Sequence, residues 1–252
     1  MKDEATTWRA GLAYVLDSGL APYVSSAESF LPQAGVDPEG VAFVPTTGRQ
    51  VEAGVRYQLP GHDALFSAAV YDIRKKNVPT SASTPDCPFC QAQTGEIRSR
   101  GLELQAAGSF AGLEFTAAYA YNDAEITRSG PDAAGVDYTG NAVPLAPAHL
   151  VSFWADYTLD SGPAAGLTLG GGVRHVGSTF ADDANTIEND PYTLADAAAL
   201  RPWGGCAGTR RRGAGLNVTN LFGTDYQTCF TAFADCTNGA PRTVIGSLIY
   251  QW

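Results

Sequence analysis

The chain has 252 residues and a formal net charge of −10, from 26 acidic and 16 basic side chains. That balance excludes a nucleic-acid partner, which needs a basic footprint; with Lys2, Lys75 and Lys76 as the only lysines, attraction to an anionic membrane surface is not expected either. Glycine is abundant at 28, methionine occurs once, and Tyr and Phe number 11 each, a composition that suits strands better than helices.

The chain opens on Met1-Lys-Asp-Glu-Ala-Thr-Thr with no apolar leader. No run of 18 apolar residues follows, so no helix is expected to cross a membrane. Alternation with a period of two recurs along the whole length. Val51, Ala53, Val55 and Tyr57 share one face, and Gln50, Glu52, Gly54 and Arg56 the other. Leu113, Phe115, Ala117, Tyr119 and Tyr121 oppose Glu114, Thr116, Ala118, Ala120 and Asn122. Val151, Phe153, Ala155 and Tyr157 oppose Ser152, Trp154 and Asp156. At the end Val244, Gly246, Leu248, Tyr250 and Trp252 oppose Ile245, Ser247, Ile249 and Gln251. One face is apolar and the other polar or small, as a barrel wall between lipid and a wet lumen requires.

The pattern predicts strands near 8–16, 19–29, 50–58, 63–73, 96–109, 112–122, 148–159, 166–176, 192–200, 214–222 and 241–252, about eleven in all. Their connections alternate in length. Short ones fall at Asp17-Ser18, Pro60-Gly61-His62, Ala111 and Asp160 to Ala165; long ones at 30–49, 74–95, 123–147, 177–191 and 223–240. Outer-membrane barrels have short periplasmic turns and long outer loops, so Trp252 is placed on the periplasmic side. A soluble β-sandwich has no reason to keep this parity.

Residues 201–213 (Arg201-Pro-Trp-Gly-Gly-Cys-Ala-Gly-Thr-Arg-Arg-Arg-Gly213) break the alternation where a short turn is expected, and Pro202 suits a strand badly. The segment reads as a divergent periplasmic loop or as a local frame disruption. Arg210 to Arg212 are too few for a nucleic-acid patch. Five cysteines occur, at 87, 90, 206, 229 and 236; in an exported chain the two close pairs can form disulfides or remain thiols. Cys87-Pro-Phe-Cys90 has neither the context of a redox motif nor a second ligand pair for zinc.

Several segments in series resemble one family. They are Gly19-Leu-Ala-Pro-Tyr-Val-Ser-Ser with Ser29-Phe-Leu-Pro-Gln, Gly48-Arg-Gln-Val-Glu-Ala-Gly-Val-Arg-Tyr57, and Thr94-Gly-Glu-Ile-Arg-Ser-Arg-Gly-Leu-Glu-Leu104. Tyr119-Ala-Tyr-Asn-Asp-Ala-Glu125, Asn217-Val-Thr-Asn-Leu-Phe222 and the closing stretch from Ala240-Pro-Arg-Thr-Val to Trp252 belong to the same set. Together they look like the C-terminal half of the barrel of TonB-dependent siderophore receptors, most like ferrichrome-type hydroxamate receptors. The resemblance covers nearly the whole chain except 201–213. It implies an all-β, antiparallel transmembrane outer-membrane β-barrel of 22 strands, of which this chain would hold about eleven. The N-terminal plug domain and the signal peptide would be missing.

The implied function is uptake of a ferric siderophore across the bacterial cell outer membrane, driven by the TonB–ExbB–ExbD complex through the missing N-terminal region. Outer-membrane lipid and the barrel-assembly machinery are the other implied partners. Alternatives are a self-contained porin-like barrel and a non-functional fragment of a disrupted receptor gene. No cofactor and no resident metal are expected, the ferric siderophore being cargo, and no catalytic set can be assembled, so an enzyme is not expected. By resemblance Cys229 and Cys236 form an outer-loop disulfide, and Gly246, Leu248, Tyr250 and Trp252 form the barrel-assembly signal. Aromatic loop residues are the ligand candidates: Phe230, Phe233, Phe180 and Tyr138. His62, His149 and His175 read as solvated or girdle residues. Asp182, Asp183 and Asp190 read as a charged, solvated loop without calcium spacing. Gly170-Gly-Gly172 reads as relief of crowding where a barrel curves.

Overall fold

In a computed structural model, residues 4–37, 39–81, 91–131, 135–203, 212–230 and 235–250 are described. In chain order the strands are β1 (Arg9–Ala13), β2 (Leu20–Leu31), β3 (Thr46–Gln58), β4 (Asp63–Ser81), β5 (Gln91–Phe110), β6 (Leu113–Arg128), β7 (His149–Thr158) and β8 (Thr168–Val176). They continue as β9 (Thr179–Phe180), β10 (Glu188–Asn189), β11 (Tyr192–Trp203), β12 (Arg212–Thr219), β13 (Gln227–Cys229), β14 (Cys236–Asn238) and β15 (Thr243–Tyr250). Eleven of these form one antiparallel meander in the order β1-β2-β3-β4-β5-β6-β7-β8-β11-β12-β15, and β9–β10 and β13–β14 are small ribbons inside two long loops. The eleven expected strands are the eleven strands of the meander.

The single layer argues against a sandwich, which needs two sheets packed over an apolar core. Among the described residues only Phe43, Ile126, Ala181 and Leu194 are buried hydrophobics. Leu12, Leu104, Phe153, Leu169 and Leu248 stand exposed. An apolar face with no protein over it needs another apolar solvent, and lipid supplies one.

Register fixes which residues share each face. Phe66, Ala106, Ala117 and Phe153 are neighbours across β4–β7, as are Ala68, Leu104, Tyr119 and Val151. This outward face is apolar. It carries neighbouring aromatic groups, Tyr57 with Phe66 and, in the next rows toward the loops, Tyr119 and Tyr121 against His149. The inward face is polar: Tyr23 donates to Glu52 at 2.7 Å, Tyr71 to Asn122 at 3.2 Å and Ser99 to Asn122 at 2.6 Å.

Three inward aromatics each face a glycine across the ladder: Tyr23 with Gly54, Tyr71 with Gly101, and Trp154 with Gly172. A Cβ at Gly54 would stand 2.7 Å from the Tyr23 ring, and one at Gly101 would strike the Tyr71 hydroxyl. One at Gly172 would stand 2.7 Å from Trp154 Cε3, and one at Gly170 2.8 Å from Trp154 Cζ2. Gly170 and Gly172 thus relieve crowding by the inward Trp154 indole.

Several boundaries also differ from expectation, β3 beginning at Thr46 and β6 running on to Arg128. Residues 74–81 and 91–95, expected as loop, extend the β4–β5 hairpin beyond the apolar band, with register shifts after Lys76 and Val78. The stretches Arg74-Lys-Lys-Asn-Val-Pro-Thr-Ser81 and Gln91-Ala-Gln-Thr-Gly95 carry no apolar–polar alternation, so the period gave no signal there. The turn between β5 and β6 is Ala111-Gly112, both at positive φ (48° and 82°), as a two-residue hairpin loop requires. At the irregular segment, Arg201, Pro202 and Trp203 continue β11 opposite Ala214, Gly213 and Arg212. Pro202 is tolerated because β8 has ended by then, its last rung being Thr168 with Leu200, so only one ladder flanks it. Residues 204–211, with Cys206 and Arg210, lie outside the described residues.

Candidate functional site at the outer mouth

The long loops between β2 and β3, β6 and β7, β8 and β11, and β12 and β15 all emerge from one end of the sheet, because the meander's strands alternate in direction. Three of them are tied together by side chains. Asn141 Nδ2 donates to the Asp183 carbonyl at 2.8 Å. Asn185 accepts from Ala142 N–H at 2.8 Å and donates to the Ala142 carbonyl at 3.0 Å, so its amide acts like a strand rung. Leu145 N–H donates to the Phe180 carbonyl at 2.8 Å. Asn189 repeats the device on the next loop: its Oδ1 accepts from Cys229 N–H at 2.6 Å and its Nδ2 donates to the Cys229 carbonyl at 3.0 Å. Asn185 sits at φ 55°, a left-handed conformation that Asn adopts more readily than most residues.

Asp182 organises the turn between β9 and β10. It accepts from the N–H groups of Thr186 and Ile187 at 2.9 and 3.1 Å and from the Thr186 hydroxyl at 2.6 Å. It is 7% exposed, which corrects the solvated-loop expectation at this position: Asp182 is a buried turn residue. Burial pushes its carboxyl up, but the Thr186 side chain and the two backbone donors outweigh burial and hold it below the usual value. Asp183 is raised, first by burial and then by the charge of Asp182.

Of the ligand candidates, Tyr138 is half-buried and lines a cleft of about 70 Å³ with Ile126, Val143 and Asp183. Phe180 is half-buried in β9, paired with Glu188. Phe230 is exposed at the end of β13, its N–H bonded to the Asp235 carbonyl. These three therefore sit on three loops that share one hydrogen-bond network. Phe233, Cys87, Cys90 and Trp252 lie outside the described residues. Cys229 and Cys236 face each other across β13–β14 as a disulfide. Gly246, Leu248 and Tyr250 lie in β15 with Leu248 and Tyr250 exposed. Among the described residues no group of three or more His, Cys, Asp or Glu is placed to hold a metal ion.

Sequence reasoning missed the asparagines. Asn220 in the Asn217-Val-Thr-Asn-Leu-Phe222 motif is 3% exposed and at φ 52°. It donates to the carbonyls of Thr224 and Ala240 and accepts from Thr224 N–H, closing the last outer loop at its root. The motif signalled a resemblance but not this role.

An antiparallel eleven-stranded meander with a lipid-facing outside, a polar inside and laced loops at one end is a transmembrane β-barrel wall of the outer-membrane type. The β-barrel family described as TonB dependent receptor-like matches residues 1–221, and the chain belongs to it. The chain is 36% identical to the ferrichrome outer membrane transporter/phage receptor of Escherichia coli strain K12, covering 99% of this chain and 32% of that protein. It is 36% identical to the ferrioxamine B receptor of Salmonella typhimurium, covering 97% of this chain and 34% of that protein. Its fold matches the ferric preacinetobactin receptor BauA of Acinetobacter baumannii with a TM-score of 0.82 at 22% identity, over 99% of this chain and 37% of that one. The chain thus spans about a third of the length of the relatives it matches.

Proposed function

We propose that this chain forms about half of the barrel wall of a TonB-dependent outer-membrane receptor that takes up a ferric hydroxamate siderophore. The observation that carries the reading is 36% identity over almost the whole chain to a ferrichrome transporter and a ferrioxamine receptor. Tyr138, Phe180 and Phe230 on the laced loops supply aromatic surface for a compact, partly apolar ferric complex. Phe233 belongs to the same aromatic set by its position in the last loop. The chain acts as a receptor and carries out no catalysis, and it holds no resident cofactor: iron arrives and leaves with its chelator. TonB and its ExbB–ExbD partners act on the parts of the receptor beyond the wall described here, and Gly246, Leu248, Tyr250 and Trp252 present the closing strand to the assembly machinery.

The self-contained small barrel is disfavoured by strand direction. β1 and β15 both run from the loop end toward the turn end, and neither has a second partner among the described residues. Closing eleven strands on themselves would force these two into a parallel pair, whereas bacterial single-chain barrels close with an even, antiparallel count. Eleven further strands close the wall without that conflict.

The test is iron uptake by a strain lacking its own hydroxamate receptors and expressing the receptor that carries this chain. Iron-loaded ferrichrome or ferrioxamine B should be imported in a TonB-dependent manner. Tyr138→Ala and Phe230→Ala should each weaken binding while leaving the amount of receptor in the membrane unchanged. Absence of hydroxamate binding by abundant, correctly inserted receptor refutes the substrate class.

A further inference from the structure

The laced loops carry charge of one sign. Residues 129–148 hold two acids, 177–191 four and 220–242 two, against Arg242 as the single cation of the three segments. The mouth that these loops form therefore has a negative potential, which draws cations and repels anions.

Within that field one acid stands apart. Asp182 is committed to its own turn, where it accepts from the N–H groups of Thr186 and Ile187 and from the Thr186 hydroxyl. Asp183, next to it, is half-buried, and Asn141 Nδ2 engages its backbone carbonyl at 2.8 Å. Among the described residues no donor bonds the Asp183 carboxylate and no cation pairs with it. Lys75, opposite Ile97 on the same inward face, forms no salt bridge either. Burial and the charge of Asp182 raise the Asp183 carboxyl, as expected of a negative charge without a counterion.

The carboxylate lines a cleft of about 70 Å³. Ile97 and Ile126 are register partners on the inward face of β5–β6, and Val78, Tyr138 and Val143 add to the walls. Asp183 is the one charged residue among the described residues that line it. The space is little more than that of two waters at roughly 30 Å³ each. A whole ferric chelate needs a pocket of about 300–1,000 Å³, so the iron centre cannot enter. The end of a slender arm can. Its last methylene groups would lie against Ile97, Ile126 and Val143, and a cationic tip would meet the carboxylate and the Tyr138 ring. An ammonium suits the space better than a guanidinium, being a compact point charge and not a planar fork.

We propose that Asp183 and this cleft select ferric hydroxamates that end in a free alkylammonium arm, the arm entering the cleft while the iron centre rests on the loop aromatics. The inference rests on the hydroxamate reading and names a subclass within it. A ferric trihydroxamate core is neutral, because its hydroxamate anions balance the ferric charge. The arm then supplies the whole net charge to which the acidic mouth responds. A neutral complex loses that contribution, and an anionic chelate is repelled.

The experiment uses the receptor that carries this chain, purified in mild detergent. The probe is iron-loaded ferrioxamine B, a trihydroxamate that ends in a free amine. Its N-acetylated form keeps the same iron centre and loses the charge. Quenching of protein fluorescence reads the affinity for each. The unaltered receptor should bind the amine form about tenfold more tightly than the acetylated form. Asp183→Asn should weaken the amine form about tenfold and leave the acetylated form unchanged, so that the two become equal. Asp190→Asn removes an exposed charge from the same loop outside the cleft and should preserve most of the difference. Equal affinity of the unaltered receptor for the two forms overturns the proposal and leaves the hydroxamate reading standing. Binding of neither form by folded receptor overturns both. A difference that persists in Asp183→Asn reports the bulk of the acetyl group and also overturns the proposal. Should that variant not insert, salt decides on the unaltered receptor: a preference for the amine form that ignores ionic strength overturns the proposal.

Discussion

Asn189→Ala tests whether side-chain rungs hold the outer loops together. Asn189 is 7% exposed and bonds both backbone groups of Cys229, at 2.6 and 3.0 Å, and Thr179 Oγ1 at 3.1 Å. Each bond contributes about 1 kcal/mol net, and leaving Cys229 N–H without an acceptor adds about 1–3 kcal/mol if water cannot enter. The loop would open to water before the full sum was reached. The expected loss is therefore about 2–4 kcal/mol, confined to the contact between β10 and β13. In amide hydrogen exchange this is a rise of roughly 30- to 1,000-fold at Cys229, while amides of β7, β8 and β11 keep their protection. Asn189→Asp retains the acceptor for Cys229 N–H and loses the donors, so it should fall between. Unchanged protection of Cys229 in Asn189→Ala would refute the lacing of these loops.

Four other outcomes follow. Gly170→Ala should destabilise the barrel by about 1–3 kcal/mol through its clash with Trp154 Cζ2, and Trp154→Ala in the same chain should relieve most of that, read by urea unfolding. Asp182 has a lowered carboxyl value, so its turn contributes stability above the usual carboxylate range and loses it as pH falls through the lowered value. Asp183 has a raised value, so its ionisation opposes the fold and protonation relieves this as pH falls through that raised value. Protection of the Thr186 and Ile187 amides, corrected for intrinsic exchange, should thus peak between the two, and a steady fall from neutral pH downward would count against this account. Reducing Cys229–Cys236 should lower the local stability of β13–β14 by about 2–3 kcal/mol, seen at the Thr228 and Thr237 amides, without changing β12 or β15. Leu104→Arg, on the lipid face near mid-band, should cost about 2–4 kcal/mol, whereas the neighbouring Gln105→Arg on the lumen face should be tolerated. Equal damage from both would reverse the assignment of faces.

The meander was legible because a wall between lipid and water imposes its period on every strand that crosses the band. Leu113 to Tyr121 and Val151 to Tyr157 alternate because one side meets hydrocarbon. Where the strands leave the band the constraint ends. Lys76–Ser81 and Gln91–Glu96 remain paired, with Gln93 Nε2 donating to the Asn77 carbonyl and Thr80 Oγ1 to the Ala92 carbonyl, and their non-alternating sequence looks like loop. Trp154 and Tyr71 show a second limit. The sequence contains each aromatic and each glycine, but that Gly172 and Gly101 exist to receive them follows only from the cross-strand register.

The outer mouth was legible as composition and illegible as architecture. Tyr138, Phe180 and Phe230 are visible as loop aromatics, but what brings their loops together is a set of pairs 40 or more residues apart: Asn189 with Cys229, Asn185 with Ala142 and Asn141 with Asp183. Asparagine suits this work because one amide offers a donor and an acceptor in the spacing of a backbone rung, and because it tolerates the left-handed turn at Asn185 and Asn220. A loop built this way gains order without a continuous core, since its bonds are few and near water. Such bonds lie at the low end of local stability, as a mouth that must admit a bulky ferric complex and release it inward requires. Stiffening the mouth at the Asn185–Ala142 rung should therefore slow exchange of the loop amides and siderophore entry together. A variant that rigidifies the loops without slowing entry would separate the two.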